Sequence, residues 1–286
     1  MKSLQQSCRR AGALGALAAC LPPLMLLLAA LLLGCQQRSA PKMEAAPAPA
    51  ETASVAPTSA SFDHTVFDRI LQAHVENGLV DYASLKAEDE ADLDEYLQSL
   101  ADAKGFDGSD DELAFWLNVY NAGVIKGILE RYPNVKSVMD IEGFFDDKRW
   151  MAAGRLRSLN EIENEIIRPR FEDPRIHFIL VCAAQSCPPL PNRAMDEATL
   201  QSQLDRATRD AINSPKYVQV DPEAKVLRLT HTMSWYRKDF EADAGSLQAY
   251  VLKYIEDPGK SQLQGADYTV QFMDYDWALN DAGATR

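Results

Sequence analysis

Phe62, Val66, Phe67, Ile70, Leu71 and Val75 recur at the spacing of one helix face, and Asn77-Gly78 ends the run. "GLVDYASL" reads as a short extended link, and Leu93 to Ala103 as a second amphipathic helix. Ser109-Asp110-Asp111-Glu112 then has the form of a capping box, with serine bonding the fourth residue's amide and glutamate reaching back. The segment it opens, "ELAFWLNVYNAGVIKGILERY", is apolar around most of its circumference. Such a helix is normally central and buried, and Pro133 ends it. Ser158-Leu159-Asn160-Glu161 repeats the capping pattern and predicts a helix to about Arg168.

"RIHFILVC" is a near-continuous apolar run of strand length, which predicts a strand buried on both faces. After a proline-rich loop, Asp196 is placed to cap a helix whose apolar side is Leu200, Leu204, Ala207 and Ala211. "YVQVDPEAKVLRLT" alternates on either side of a tight turn, as a hairpin does. Leu247 to Ile255 predicts another helix, and "YTVQFMDYDWALN" closes with strand character. Helices come first and strands mostly later. The fold class expected is α+β: a helix-rich N-terminal part around a buried central helix, packed on a small, mostly antiparallel sheet. No fixed-period repeat is visible.

The start of the chain differs in kind. Lys2, Arg9 and Arg10 precede an apolar run ending "MLLLAALLLGC", the order of a secretory signal. Pro22-Pro23 breaks that run, leaving about ten apolar residues, too few to span a bilayer. Leu32-Leu33-Gly34-Cys35 resembles the bacterial lipobox, which implies cleavage before Cys35 and lipidation of its thiol. Gln36 does not resemble an inner-membrane retention signal. The expected location is the outer membrane, lipid-anchored and facing the periplasm. The following "QQRSAPKMEAAPAPAETASVAPTSAS" is rich in Ala, Pro, Ser and Thr and cannot bury enough surface to order itself. Three segments are therefore expected: a lipoprotein signal peptide at 1–34, a disordered tether at 35–61, and a single globular domain at 62–286.

Charge narrows the partners. The whole chain carries a formal −13, and removal of the signal leaves 26 basic against 42 acidic residues, or −16. A surface this acidic repels phosphate backbones, so no nucleic-acid partner is expected. The expected partners are a membrane, through the lipid on Cys35, and a peptide or cell-wall ligand.

Of five cysteines, Cys8 and Cys20 leave with the signal and Cys35 is lipidated, so Cys182 and Cys187 remain, in a compartment that favours disulfides. "AFWLNVYNA", "SLNEIENEIIR", "PRIHFILVCAAQSCPPL", "SWYRKDF" and "YDWALN" together resemble the domain of unknown function 547 family, in the family's order from Val80 to Asn280. Ala183 departs from the glycine that members often carry there. The family carries no assigned activity. Distant kinship with papain-like or transglutaminase-like thiol enzymes is a further resemblance, from which no activity is carried over.

The residues leave two chemistries open. On a strand, His177 and Cys182 point to opposite faces, about 16 Å apart along an extended chain. Cys187, in a loop, can turn back to meet His177, the pairing that activates a thiol nucleophile. Asp173, Asn118 or Asn121 could then orient the ring, and either asparagine could serve as an oxyanion donor. Against that pairing stand a five-residue reach to Cys182, suited to a disulfide, and Pro188-Pro189, which offer no amide hydrogens at the sulfur. The readings are a thiol-dependent hydrolase of peptide or envelope amide bonds, or a non-catalytic binding or scaffold module with a structural Cys182–Cys187 pair.

Asn118 and Asn121 sit at i and i+3 on a greasy helix, where they must either tie down loops or face a ligand. Trp235, Tyr236 and Arg237 could stack on a sugar or peptide or pack against the core, and His231 could be a distant base or an exposed strand residue. Cys182, Cys187 and one histidine lack the paired spacing of structural zinc, and no P-loop, G-x-G-x-x-G, H-E-x-x-H or G-x-S-x-G occurs. No metal and no cofactor is expected.

Overall fold

A computed structural model of the 286-residue chain describes residues 61–285. The expected signal at 1–34, Cys35 and the expected tether up to residue 60 lie outside the described residues.

Helix α1 (Thr65–His74) buries Phe67, Ile70 and Leu71 on one face, as the spacing predicts. It runs into β1 (Val75–Glu76), which pairs antiparallel with β2 (Leu79–Val80). Asn77 and Gly78 turn the chain between them with φ of 52° and 82°, a conformation that Asn-Gly adopts readily. The predicted extended link is thus half hairpin and half helix. Asp81 accepts a bond from the Ser84 amide at 3.0 Å and starts α2 (Tyr82–Glu88), which α3 (Glu90–Ser99) follows.

The central helix is α4 (Asp110–Leu129), in which every residue from Glu112 to Leu129 except Lys126 is buried. Its predicted capping box does not form. The Ser109 amide donates to Asp107 Oδ1 at 3.0 Å, so Glu112 bonds the Gly108 amide at 2.7 Å instead. Strands β3 (Trp150–Ala152) and β4 (Arg155–Arg157) pair antiparallel ahead of the second box. That box does form: Glu161 N–H to Ser158 Oγ and Ser158 N–H to Glu161 Oε2, both 3.0 Å. It opens α5 (Leu159–Glu161), which widens into a π-helical stretch, Ile162–Ile167, and continues as α6 (Arg168–Phe171).

"RIHFILVC" is not a strand. Pro174–Phe178 form a 3₁₀ turn, and residues 179–182 have no regular structure. Pro174 fixes its own φ, and Asp173 accepts the Arg175 amide at 2.9 Å, which winds the start of the run into a turn. Further on, Asn121 of α4 replaces a neighbouring strand. Its Nδ2 donates to Ile179 O and its Oδ1 accepts from Val181 N, each at 3.1 Å.

The rest of the chain builds a second core. Helix α7 (Leu200–Ile212) has Thr199, not Asp196, at its N-cap; Asp196 accepts from the Ala198 amide at 3.0 Å, one turn too early. Strands β5 (Val218–Asp221) and β6 (Val226–Leu229) form the predicted antiparallel hairpin. Helices α8 (His231–Trp235), α9 (Arg237–Ala244), α10 (Leu247–Tyr254) and α11 (Gly259–Leu263) lead to β7 (Thr269–Phe272), which lies parallel to β6. The fold is α+β, with a three-stranded sheet and two small hairpins. One hydrophobic core surrounds α4, the other lies under the three-stranded sheet, and Ala207 packs against both.

After β7 the chain returns to the first core. It makes single bridges from Ala278 to Ser137, Leu279 to Ala184, and Asp281 to Val80. The amides of Gln185 and Ser186 donate to the carbonyls of Ala278 and Asp276 at 2.7 and 3.1 Å. This tail therefore lies along the cysteine loop.

Candidate functional site

Where the two cores meet, a cavity of about 40 Å³ opens beside the cysteines. Several elements contribute to it. Helix α4 supplies Tyr120, the π-helical stretch Glu163, the 3₁₀ turn His177, and the cysteine loop Cys182 and Cys187. Trp235 and Tyr236 come from the end of α8, and Tyr275 and Trp277 from the tail. A π-turn places an extra residue in the helix, a feature that concentrates at functional sites. Here it carries Glu163 into the interior, 3 % exposed.

Cys182 and Cys187 form a disulfide with Cα atoms 6.2 Å apart. Cys187 is buried and Cys182 half-buried. The Cys182 amide donates to Cys187 Sγ at 3.0 Å. The Tyr275 hydroxyl lies 3.0 Å from Cys182 Sγ and donates to Cys187 Sγ at 3.2 Å, and Tyr217 donates to the Cys187 carbonyl at 2.9 Å. The sulfurs thus sit in a fixed frame of phenols and backbone.

His177 lines the same cavity as both cysteines, so the opposite-face expectation fails with the strand on which it rested. The ring is 2 % exposed and stacks on Tyr236 at 3.8 Å and 15°. Its Nε2 lies 2.8 Å from Asp239 Oδ2. Asp239 also takes a two-point grip from Arg168, Nε to Oδ2 at 2.7 Å and Nη2 to Oδ1 at 2.8 Å. Burial holds the His177 pKa below its ordinary value, against the pull of Asp239. Burial alone would raise Asp239, but its bonds to His177 and Arg168 outweigh that and hold the carboxyl well below the usual range. At neutral pH the group is a neutral imidazole beside a cancelled ion pair.

The ring's carboxylate partner is Asp239, where sequence reasoning pointed to Asp173, Asn118 or Asn121. Asp173 instead pairs with Arg175. Asn118 clasps the backbone of Met195, donating to its carbonyl and accepting from its amide at 2.8 Å each. Asn121 does the same across Ile179 and Val181, and so holds the approach to the cysteine loop. His231 begins α8 rather than lying on the hairpin, and its Nδ1 sits 3.2 Å from Met273 O. Arg237 is exposed and pairs with Glu241, apart from the cavity that Trp235 and Tyr236 line.

Sequence reasoning passed over Glu163, Asp239, Tyr120, Tyr275 and Trp277. One signal was readable. Leu159, Glu163 and Ile167 recur every four residues, which places an acid on an apolar stripe. Burial, then the charge of Glu163 and hydrogen bonding to it, push Tyr120 and Tyr236 well above the usual tyrosine range. Glu163 Oε1 nevertheless has no hydrogen-bond partner among the described residues.

Residues 104–212 match a family model described as "Protein of unknown function, DUF547", which supports the resemblance to that family. The matched stretch holds Tyr120, Glu163, His177 and both cysteines; Trp235, Asp239 and the tail lie beyond it. No curated protein and no solved structure matches the chain, so the papain-like or transglutaminase-like kinship is carried no further.

Proposed function

We propose that this chain is a lipoprotein of the cell envelope, anchored to the outer membrane through Cys35 and facing the periplasm, whose domain binds a small ligand without turning it over. The ligand class is a peptide or cell-wall fragment. What carries the reading is the cavity, which pairs a buried polar floor with an aromatic mouth beside a bridged cysteine pair. Such enclosure with few convergent polar groups suits ligand capture. The bridge occupies the sulfur that a nucleophile would need. Lipid anchoring is supported by the order of charge, apolar run and Leu-Leu-Gly-Cys at the N-terminus.

Titration of the mature protein with soluble cell-wall peptide fragments, followed by tryptophan fluorescence, tests the binding role. Saturable change that Trp277→Ala abolishes, with fragments recovered intact, is the expected result. Cleaved fragments would overturn it. The anchor is tested by mass spectrometry of the membrane fraction, where the N-terminal peptide should begin at a diacylated Cys35.

One observation favours a second reading. Cys187 and His177 line one cavity and His177 has a carboxylate partner, the components of a thiol hydrolase once the bridge is reduced. That enzyme would cleave peptide amides only with reductant present and would lose activity in Cys187→Ser.

A further inference from the structure

Glu163 sets the chemistry of the cavity. Arg168 and Asp239 cancel one another through their two-point pair, and burial keeps His177 neutral. Glu163 lines the same cavity, and its Oε1 is enclosed without a donor among the described residues. A buried acceptor without a partner is costly, so the site calls for an N–H or O–H donor. The void of about 40 Å³ has room for a small polar head group.

The mouth favours a cation. Trp235, Tyr275 and Trp277 form a continuous wall of half-buried rings, with centroids 4.6 Å apart for Trp235–Tyr275 and Tyr275–Trp277, and 5.6 Å for Trp235–Trp277. Aromatic faces attract cations and cover an alkyl stem equally well. A chain of net −13 also draws cations towards itself.

We propose that the cavity is a receptor for a primary ammonium group on a short alkyl stem, with the nitrogen donating to Glu163 Oε1 and the stem lying against the wall of Trp235, Tyr275 and Trp277. This rests on the binding role above and names its ligand chemistry. A quaternary ammonium has the charge but no hydrogen for Oε1, and an alcohol has the hydrogen but no charge.

Three probes separate these: n-butylammonium, n-butyltrimethylammonium and n-butanol, each titrated into the full mature protein at neutral pH with tryptophan fluorescence and calorimetry. Butylammonium should saturate the signal, with butyltrimethylammonium and butanol weaker by on the order of tenfold or more. Glu163→Gln keeps the shape of the side chain and removes its charge. It should melt like the parent yet lose a similar factor in butylammonium affinity, while Trp277→Ala weakens all three probes. No saturable butylammonium binding, or equal binding of butylammonium and butyltrimethylammonium, would overturn the ammonium site. Cell-wall peptide fragments are then compared before and after N-acetylation of their amines. Equal binding of both forms would sink the ammonium assignment and leave the binding role standing. Butylammonium binding with no fragment binding would do the reverse.

Discussion

His64 and His177 are both buried histidines whose environment disfavours the charged ring, and this fixes the sign of their effect on stability. Burial lowers His64 to about 4, and its Nδ1 lies 2.7 Å from the Tyr96 hydroxyl while Nε2 has no partner among the described residues. As pH falls through about 6.5, the unfolded chain takes up a proton at each of these rings and the folded chain does not. Stability is therefore complete above about 6.5 and lost on acidification, with the His64 share ending near pH 4, where the folded ring also protonates. That share amounts to roughly 3 kcal/mol. Asp239 acts in the same direction at lower pH: its folded pKa is depressed, so its contribution is present above 3.8, its ordinary value, and is lost as pH falls through its folded one. Denaturant titrations at pH 7, 5.5 and 4.5 should show the decline, and His64→Phe should flatten it. A His64→Phe slope equal to that of the parent would exclude this origin.

Side-chain amides do the work of backbone at the level of the elements. Asn121→Ala would leave the Ile179 carbonyl and Val181 amide buried without their partner, a loss of about 2–4 kcal/mol. Chemical denaturation would measure it, and the same variant should loosen the cysteine loop, seen as faster reduction of the disulfide. Gly78 makes a second tie between distant parts. At φ 82° an added Cβ would lie 2.5 Å from Pro189 Cβ, so the β1–β2 turn packs directly on the proline loop after Cys187. Gly78→Ala should cost about 2–3 kcal/mol in the same denaturation assay. A loss below about 0.5 kcal/mol would mean that the turn does not brace the loop.

These contacts also explain what was legible in the letters. Central helix α4, the Ser158 capping box and the β5–β6 hairpin follow from periodicity and local chemistry alone. "RIHFILVC" misled because its apolar run is that of a buried strand, while Asn121, about 60 residues away in sequence, supplies the partner bonds that a strand would need. The Ser109 box misled because Asp107, just outside the pattern, captures the amide first. His177, Cys182 and Cys187 stood out because they are rare chemical types. Tyr275 and Trp277 could not be placed, since only the returning tail brings them to the cysteines, and no local pattern records that return.

Taken whole, the molecule joins two cores through a bridged loop, and the tail that covers the loop also supplies part of its aromatic wall. Ligand capture beside an oxidised pair requires that both sulfurs be engaged in the native protein. Free-thiol titration of the mature protein, isolated without reductant and unfolded in denaturant, tests this most directly. Binding beside the bridge predicts no titratable thiol, because Cys182 and Cys187 are joined and, on the proposed anchoring, Cys35 carries lipid and Cys8 and Cys20 leave with the signal. Two titratable thiols would contradict it and make Cys187 available as a nucleophile.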